Sequence, residues 1–375
     1  MPQPELDILI LGGGCAGLSL ATRLSGAWPR VGVVEPRSNY VEDRTWCHWY
    51  TDPHPFDTCI RKRWNQWQVS HNDNMVTRGS MALPYVAISS AEFYKTALRH
   101  CEDGNNIRLW LDTTATATAG QAGSWTVDTT RGRLTARILI DARPPRTPPH
   151  YGQFFRGVEI RTDRACFDPS SVGLMEFRPP HADGIDFVYV LPFATDHALV
   201  EVTRFGPEKP SSNLLDTWLD AECQAHVDGA IKTVLRQETG ALPMEAGYGV
   251  AKGPAHGYAR IGLGGGAARP STGYAFQRIQ RMSDRLAGQI IGTNDTPWLD
   301  TRLDGAVTRV IDRLFLRVIR SAPEYGPELF FALFTNARSE RLERFLSGSV
   351  TTGDRMSVIT SLPPVLFLRA ALGLS

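Results

Sequence analysis

The chain has 375 residues, enough for about two or three domains at ~150 residues each. Its 42% apolar and 21% charged composition is that of a folded globular protein and not of a disordered one. Forty Lys and Arg against thirty-nine Asp and Glu leave a net charge of +1, so there is no basic field to attract nucleic acid, and a generic DNA binder is excluded.

The N-terminus runs into a strand-like segment without a basic region or a small-residue cleavage site, so a cytoplasmic location is expected. No apolar run reaches the ~18 residues that would span a bilayer; Leu362 to Leu374 is short and carries two prolines and Arg369. The six cysteines are scattered without a C-x-x-C pair and read as reduced, mostly buried thiols. The histidines show no ligand spacing, so no metal site is expected.

In chain order, Leu6 to Leu11 is an apolar strand, followed by Gly12-Gly13-Gly14-Cys15-Ala16-Gly17 and the helix formers Leu18 to Leu24. This is G-x-G-x-x-G after a strand and opening a helix, the context in which it binds a dinucleotide. Gly12 permits the tight turn, Gly14 lets a pyrophosphate approach the backbone, and Gly17 allows close helix-to-strand packing. The next strand, Val31 to Val34, ends about 20 residues on at Glu35, placed to accept hydrogen bonds from adenosine ribose hydroxyls. The alternative is a glycine turn with no ligand.

The chain then leaves the βα pattern for Asn39 to Trp67, which holds four of the nine tryptophans and reads as core or pocket wall. A strand at Tyr85 to Ile88, a helix over Ser90 to Cys101, and strands at Ile107–Trp110, Ser124–Asp128 and Arg137–Asp141 follow. Period-two alternation over Tyr151–Ile160, Val172–Phe177, Asp186–Leu191 and Ala198–Phe205 predicts a second, antiparallel sheet. Helices are predicted at Leu214–His226, Ala230–Glu238 and about Thr272–Leu286. The last is preceded by a strand at Tyr258–Leu263 and the run Gly264-Gly265-Gly266. The expected fold class is mixed α/β, a two-domain flavoprotein with a Rossmann-type dinucleotide domain and an antiparallel-sheet substrate domain. The division is 1–75 (first cofactor-binding segment, with the Trp-rich insertion), 76–150 (its continuation), 151–250 (substrate domain), 251–295 (second cofactor-binding segment) and 296–375 (C-terminal helices).

These markers, in order, resemble the bacterial flavin-dependent lycopene cyclases of carotenoid biosynthesis nearly end to end. They are the first glycine motif, Asp43-Arg44-Thr45-Trp46, Phe187 to Pro192, Leu199-Val200-Glu201-Val202-Thr203, Gly240 to Met244 and Pro270-Ser271-Thr272-Gly273-Tyr274. The resemblance implies FAD bound in its reduced form, NADPH as reductant, and lycopene as a polyene entering a tunnel between flavin and middle sheet. It places Arg44 among the cofactor-binding residues, Glu35 at the adenosine part, and Gly264, Gly265, Gly266, Ser271, Thr272 and Gly273 near the flavin ring. Two departures stand out. Many members carry a second acid directly after the essential Glu, where this chain has Val202; hydroxylating relatives carry Gly-Asp where this chain has Gly265-Gly266, which favours a cyclase.

Closing a ψ end group requires protonating an alkene, letting a second alkene attack the cation, and removing a proton. The acid must stay protonated at neutral pH, which burial in an apolar tunnel achieves. Glu201 is the candidate catalytic residue. On residue type alone a strand glutamate is more often exposed, here paired with Arg204; the family motif is what marks it as the acid. Trp46, Trp49, Phe187 and Tyr189 are candidate cation-stabilising aromatics or plain core, and Glu176 is either a second acid or a surface ion pair. The expected activity is lycopene β-cyclase, forming γ-carotene and then β-carotene; the alternatives are a flavin cyclase of another polyene or prenyl chain, an NADPH-dependent flavin hydroxylase, or a polyene carrier. Because carotenoids dissolve in lipid, peripheral contact with the inner face of the cell membrane is expected. Arg309, Arg313, Arg317 and Arg320 recur at helical spacing over Ala306 to Arg320, either as a headgroup-facing stripe or as the solvated side of a core helix. Phe330 to Phe334 and Val365 to Leu374 are further candidate lipid-facing patches.

Overall fold

The computed structural model describes residues 5–145, 147–249, 255–293, 295–364 and 367. The apolar run Leu6–Leu11 lies inside the first sheet, parallel to Val31–Val34 on one side and to Gly132–Asp141 on the other. Every residue of Leu6–Leu11 is buried because both faces of this sheet are covered. Ile8 and Ile10 meet the helices Cys15–Leu24 and Phe276–Ile291, while Leu9 and Leu11 pack with Val34, Val127 and Leu139 on the opposite face. Ile107–Trp110 extends the sheet beyond Val31–Val34. Ser124–Thr129 and Ala115–Gln121 close its other end antiparallel, and Tyr258–Arg260 returns late in the chain to pair with Gly132–Asp141.

The second sheet runs in the order Ile231–Pro243, Gly152–Thr162, His197–Gly206, Ile185–Ala194, Ser171–Phe177, Gln66–His71, Asn74–Gly79. Alternation gives it two unlike faces. Val200 and Val202 point to the helix Ser212–Val227 and pack on its Leu215, Leu219 and Val227. Leu199, Glu201, Thr203 and Phe205 therefore point the other way, toward the first sheet and the C-terminal helices.

Several expectations are corrected. Ala230–Glu238 is not helical: Ile231–Pro243 is a strand pairing antiparallel with Gly152–Thr162. As the outermost strand it is largely exposed, so it shows little two-residue hydrophobic alternation, and its Leu, Arg, Gln and Glu imitate a helix. The predicted helix at Thr272 begins only at Phe276, because Gly273 adopts φ +74° in a turn whose N–H bonds back to Arg269. The strand at Tyr258 stops at Arg260 and gives way to a tight helical turn over Gly262–Gly265. Within the 1–75 segment, Gln66–His71 joins the second sheet, while Thr45–Trp49 and Ile60–Trp64 pair with Tyr85–Ser89 in a separate three-stranded sheet, so the Trp-rich insertion adds no strand to the first sheet.

The helix Ala306–Ser321 buries Phe315, Leu316, Val318 and Ile319 in the core and leaves its arginine stripe, with Val307 and Val310, exposed. Phe330, Leu333 and Phe334 are buried beneath it, so Phe330–Phe334 is core and not a lipid-facing patch. The Val365–Leu374 patch lies outside the described residues apart from Phe367.

Candidate functional site

At the first helix, Gly12 takes φ +101°, and a Cβ on Gly17 would stand 1.9 Å from the Gly12 carbonyl oxygen, so the turn closes only with glycine at both places. Gly14 caps the helix Cys15–Leu24 without a side-chain hydrogen bond, and the first turn carries no acid. A Cβ on Gly14 would meet nothing nearer than the Arg37 Nη2 at 3.8 Å, so the approach to these N–H groups is open. Arg37 and Arg44 line the same space. An open helix N-terminus flanked by two arginines fits a pyrophosphate. Glu35 is buried behind the loop, its Oε2 accepting from the Gly13 N–H at 2.6 Å and its Oε1 from the Arg37 Nε at 2.8 Å.

The space in front of Gly14 is one cavity of about 500 Å³ that reaches to the second sheet. Its far end holds Glu201 and a second carboxylate, Glu238, which sequence reasoning missed because its strand was assigned as a helix. The two come together through register: Gly157, on the strand between theirs, stands opposite Glu201 on one side and Glu238 on the other. The glycine makes the row possible, since a Cβ there would lie 3.3 Å from both the Glu201 Cβ and the Glu238 Cγ. Burial, then the like charge of Glu238 and a hydrogen bond to it, push the Glu201 carboxyl well above the usual range, against the smaller pull of Thr203 and Arg236. Glu201 is thus a buried carboxyl whose protonated form is favoured, and among the described residues only the Thr203 hydroxyl, 3.3 Å away, donates to it.

Glu238 has a different environment. Arg236 Nη1 donates to its Oε2 at 2.6 Å, and Arg236 Nε donates to Glu159 at 2.6 Å. Glu159 is further bound by Arg61 and by His197 at 2.7 Å. Although burial works the other way, hydrogen bonding to Arg61 and the charges of Arg61 and Arg236 hold Glu159 down to about 2. The network runs from the half-exposed Arg61 inward and ends at the two cavity carboxylates.

A second, apolar cavity of about 330 Å³ meets the first at Tyr189, Thr272 and Tyr274. Its walls include Phe205, Phe315, Phe330 and Phe334, and its outer rim includes the exposed Ile359 and Pro364. Together the two spaces run from a greasy mouth to a buried acid and on to an open helix N-terminus.

Of the other predicted residues, Thr272 and Gly273 line the first cavity, and Ser271 lines the second while donating to Asp312 at 2.9 Å. Gly264 and Gly265 pack against Arg260 and Arg143, and it is Gly262 and Leu263 that face the first cavity; Gly266 ends that turn at φ +77°. Trp46 and Tyr189 line the first cavity, whereas Trp49 and Phe187 are core. Glu176 pairs with His226 at 3.1 Å, and Arg204 pairs with Asp186, so neither reaches Glu201.

The sequence is similar to known carotenoid enzymes along almost its whole length. It is 27% identical to a lycopene beta-cyclase of a Paracoccus species, over 96% of this chain and 94% of that one. To the lycopene beta-cyclase of Pantoea ananas it is 25% identical, over 98% and 97%. The fold is shared with a geranylgeranyl bacteriochlorophyll reductase-like protein of Thermoplasma acidophilum, at TM-score 0.62, 12% identity and 99% coverage of both chains. A variant of the halogenase PltM solved with FAD matches at TM-score 0.60 and 10% identity, covering 99% of this chain and 94% of that one. The family model described as "Lycopene cyclase protein" matches residues 7–372, so the chain belongs to the lycopene cyclase family.

Proposed function

We propose that the protein is a lycopene β-cyclase: it closes the two ψ ends of lycopene into β rings, through γ-carotene to β-carotene, without net redox change. The observation that carries this reading is that a single cavity holds both the open N-terminus at Gly14 and the desolvated Glu201. Glu201 is the acid that protonates the terminal alkene. Its proton is retained at neutral pH because neither burial nor the neighbouring carboxylate allows it to ionise. The polyene tail lies in the apolar cavity, whose walls exclude water that would trap the cation. The faces of Tyr189 and Trp46 stabilise positive charge on the closing ring.

FAD would be held by Gly12, Gly14 and Gly17 with Arg37 and Arg44 at the pyrophosphate, Glu35 at the adenosine side, and Gly262 and Leu263 with Thr272 and Gly273 at the flavin side. Bound and reduced, it supplies negative charge beside the developing cation. NADPH as the electron source rests on the family resemblance. We place the protein at the inner face of the membrane. The exposed Arg309, Arg313, Arg317 and Arg320 stripe is suited to anionic headgroups, and the apolar cavity has Ile359 and Pro364 at its rim. Co-sedimentation with anionic vesicles tests this placement.

Expression in lycopene-accumulating cells followed by pigment chromatography tests the activity. Wild type should yield β-carotene, and Glu201→Gln should leave lycopene unconverted while still binding flavin. Normal turnover by that variant would show that Glu201 is not the acid. A hydroxylase would instead consume one NADPH per product.

A further inference from the structure

Ring closure needs a base as well as an acid, and three carboxylates line the cofactor cavity: Asp43, Glu201 and Glu238. Asp43 is at the glycine-loop end, where the Tyr94 hydroxyl donates to it at 3.2 Å and Arg37 is within 3.5 Å. Glu238 is at the reacting end, in register with the acid across Gly157. Glu201 and Glu238 are partnered asymmetrically. Among the described residues Arg236 donates to Glu238, while Glu201 receives only the Thr203 hydroxyl, so a proton shared by the pair is held preferentially by Glu201.

We propose that Glu238 is the base of the cyclisation, removing the ring proton and returning it to Glu201 directly across Gly157. This rests on the reading of Glu201 as the acid. In the forward step the Glu201 O–H bond breaks and the terminal alkene takes its proton, leaving a tertiary cation. The π pair of the neighbouring alkene forms the ring bond and moves the cation to the adjacent ring carbon. A Glu238 oxygen then takes the proton from the newly joined carbon, and the C–H pair becomes the ring double bond. Proton transfer from Glu238 to the Glu201 carboxylate restores the starting state, with no oxidant, reductant or water consumed. Arg236 acts as a positioning residue: Glu159 and the Thr45 hydroxyl fix its guanidinium, which holds Glu238 toward the cavity.

The groups facing the pair are Arg236, Glu159, Thr203, Tyr189 and, on the elements across the cavity, Cys47 and Arg44. Burial raises the Tyr189 phenol and the Cys47 thiol far above their ordinary values, so both stay neutral. Glu159 keeps its charge down to about 2. The wild-type rate should fall on the alkaline side, where Glu201 loses its proton.

The test is Glu238→Gln, which keeps the shape and removes the base. We expect β-ring formation to fall about 100-fold or more, with flavin and lycopene absorbance showing retained binding. Glu238→Asp should recover part of the rate, which a purely structural role for the strand would not give. Wild-type turnover by Glu238→Gln alongside an inactive Glu201→Gln would overturn this inference and leave the acid assignment standing. Activity in both variants would remove both. Should Glu238→Gln fail to fold, Glu238→Asp decides, since a folded, flavin-bound Glu238→Asp protein with the full wild-type rate is incompatible with a base whose reach sets the step.

Discussion

Gly157 is the most economical place to challenge the site, because it does not line the cavity and yet lies between the two carboxylates. Replacing it with Ala places a Cβ 3.3 Å from the Glu201 Cβ, the Glu238 Cγ and the Leu199 Cδ1. Carbon atoms rest at about 3.5–4.0 Å, so three contacts must each yield a few tenths of an ångström. The backbone is an extended strand that alanine adopts freely, so the cost is one of overpacking, about 1–3 kcal/mol. Turnover falls as well: a misplacement of ~1 Å costs about 100-fold, so a few tenths of an ångström should cost about fourfold. With Glu238 held farther off, the upward push on the Glu201 carboxyl weakens, so the alkaline limb of the rate profile should shift to lower pH. Thermal unfolding and flavin titration establish that Gly157→Ala is folded and loaded, and timed pigment extraction across pH gives rate and limb together. A folded, flavin-bound Gly157→Ala protein with the wild-type rate and an unmoved alkaline limb would refute the claim that this glycine makes the pair.

Two further expectations concern stability. Asp312 and Arg269 form a buried ion pair at 3.0 Å, which ties the helix Ala306–Ser321 to the Ser271–Gly273 turn, so Asp312→Ala leaves a guanidinium uncompensated and should cost about 3–5 kcal/mol in denaturant unfolding. A loss under about 1 kcal/mol would mean that water reaches Arg269. Burial pushes the Glu343 carboxyl from 4.5 up to about 7, with the Trp67 indole N–H donating to it at 2.9 Å. The folded state then binds more protons than the unfolded state between those values, so stability falls as pH rises through this window and levels off above it, by about 3 kcal/mol in all. Glu343→Gln should abolish that fall and be the more stable protein at pH 8; parallel stability curves for the two proteins would disprove it.

The sequence by itself determined what is local. The strand Leu6–Leu11, the turn at Gly12 and the helix behind it are written within consecutive residues, since an apolar run, an obligatory glycine and helix formers leave the chain little choice there. Alternation likewise announced the second sheet, in which Glu201 lies on the face away from Val200 and Val202. The family motif singled out that glutamate. What no stretch of sequence contained is the partner of Glu201. Glu238 belongs to an outermost, mostly exposed strand whose residue types favour a helix in isolation, and only pairing with Gly152–Thr162 makes it extended. The fates of Phe330 and Leu333, and of the apolar side of the helix Ala306–Ser321, were settled in the same way, because an apolar surface is equally suited to lipid and to core until another element covers it. The carboxylate pair is a property of register across three strands far apart in the chain, and register is decided when a sheet assembles.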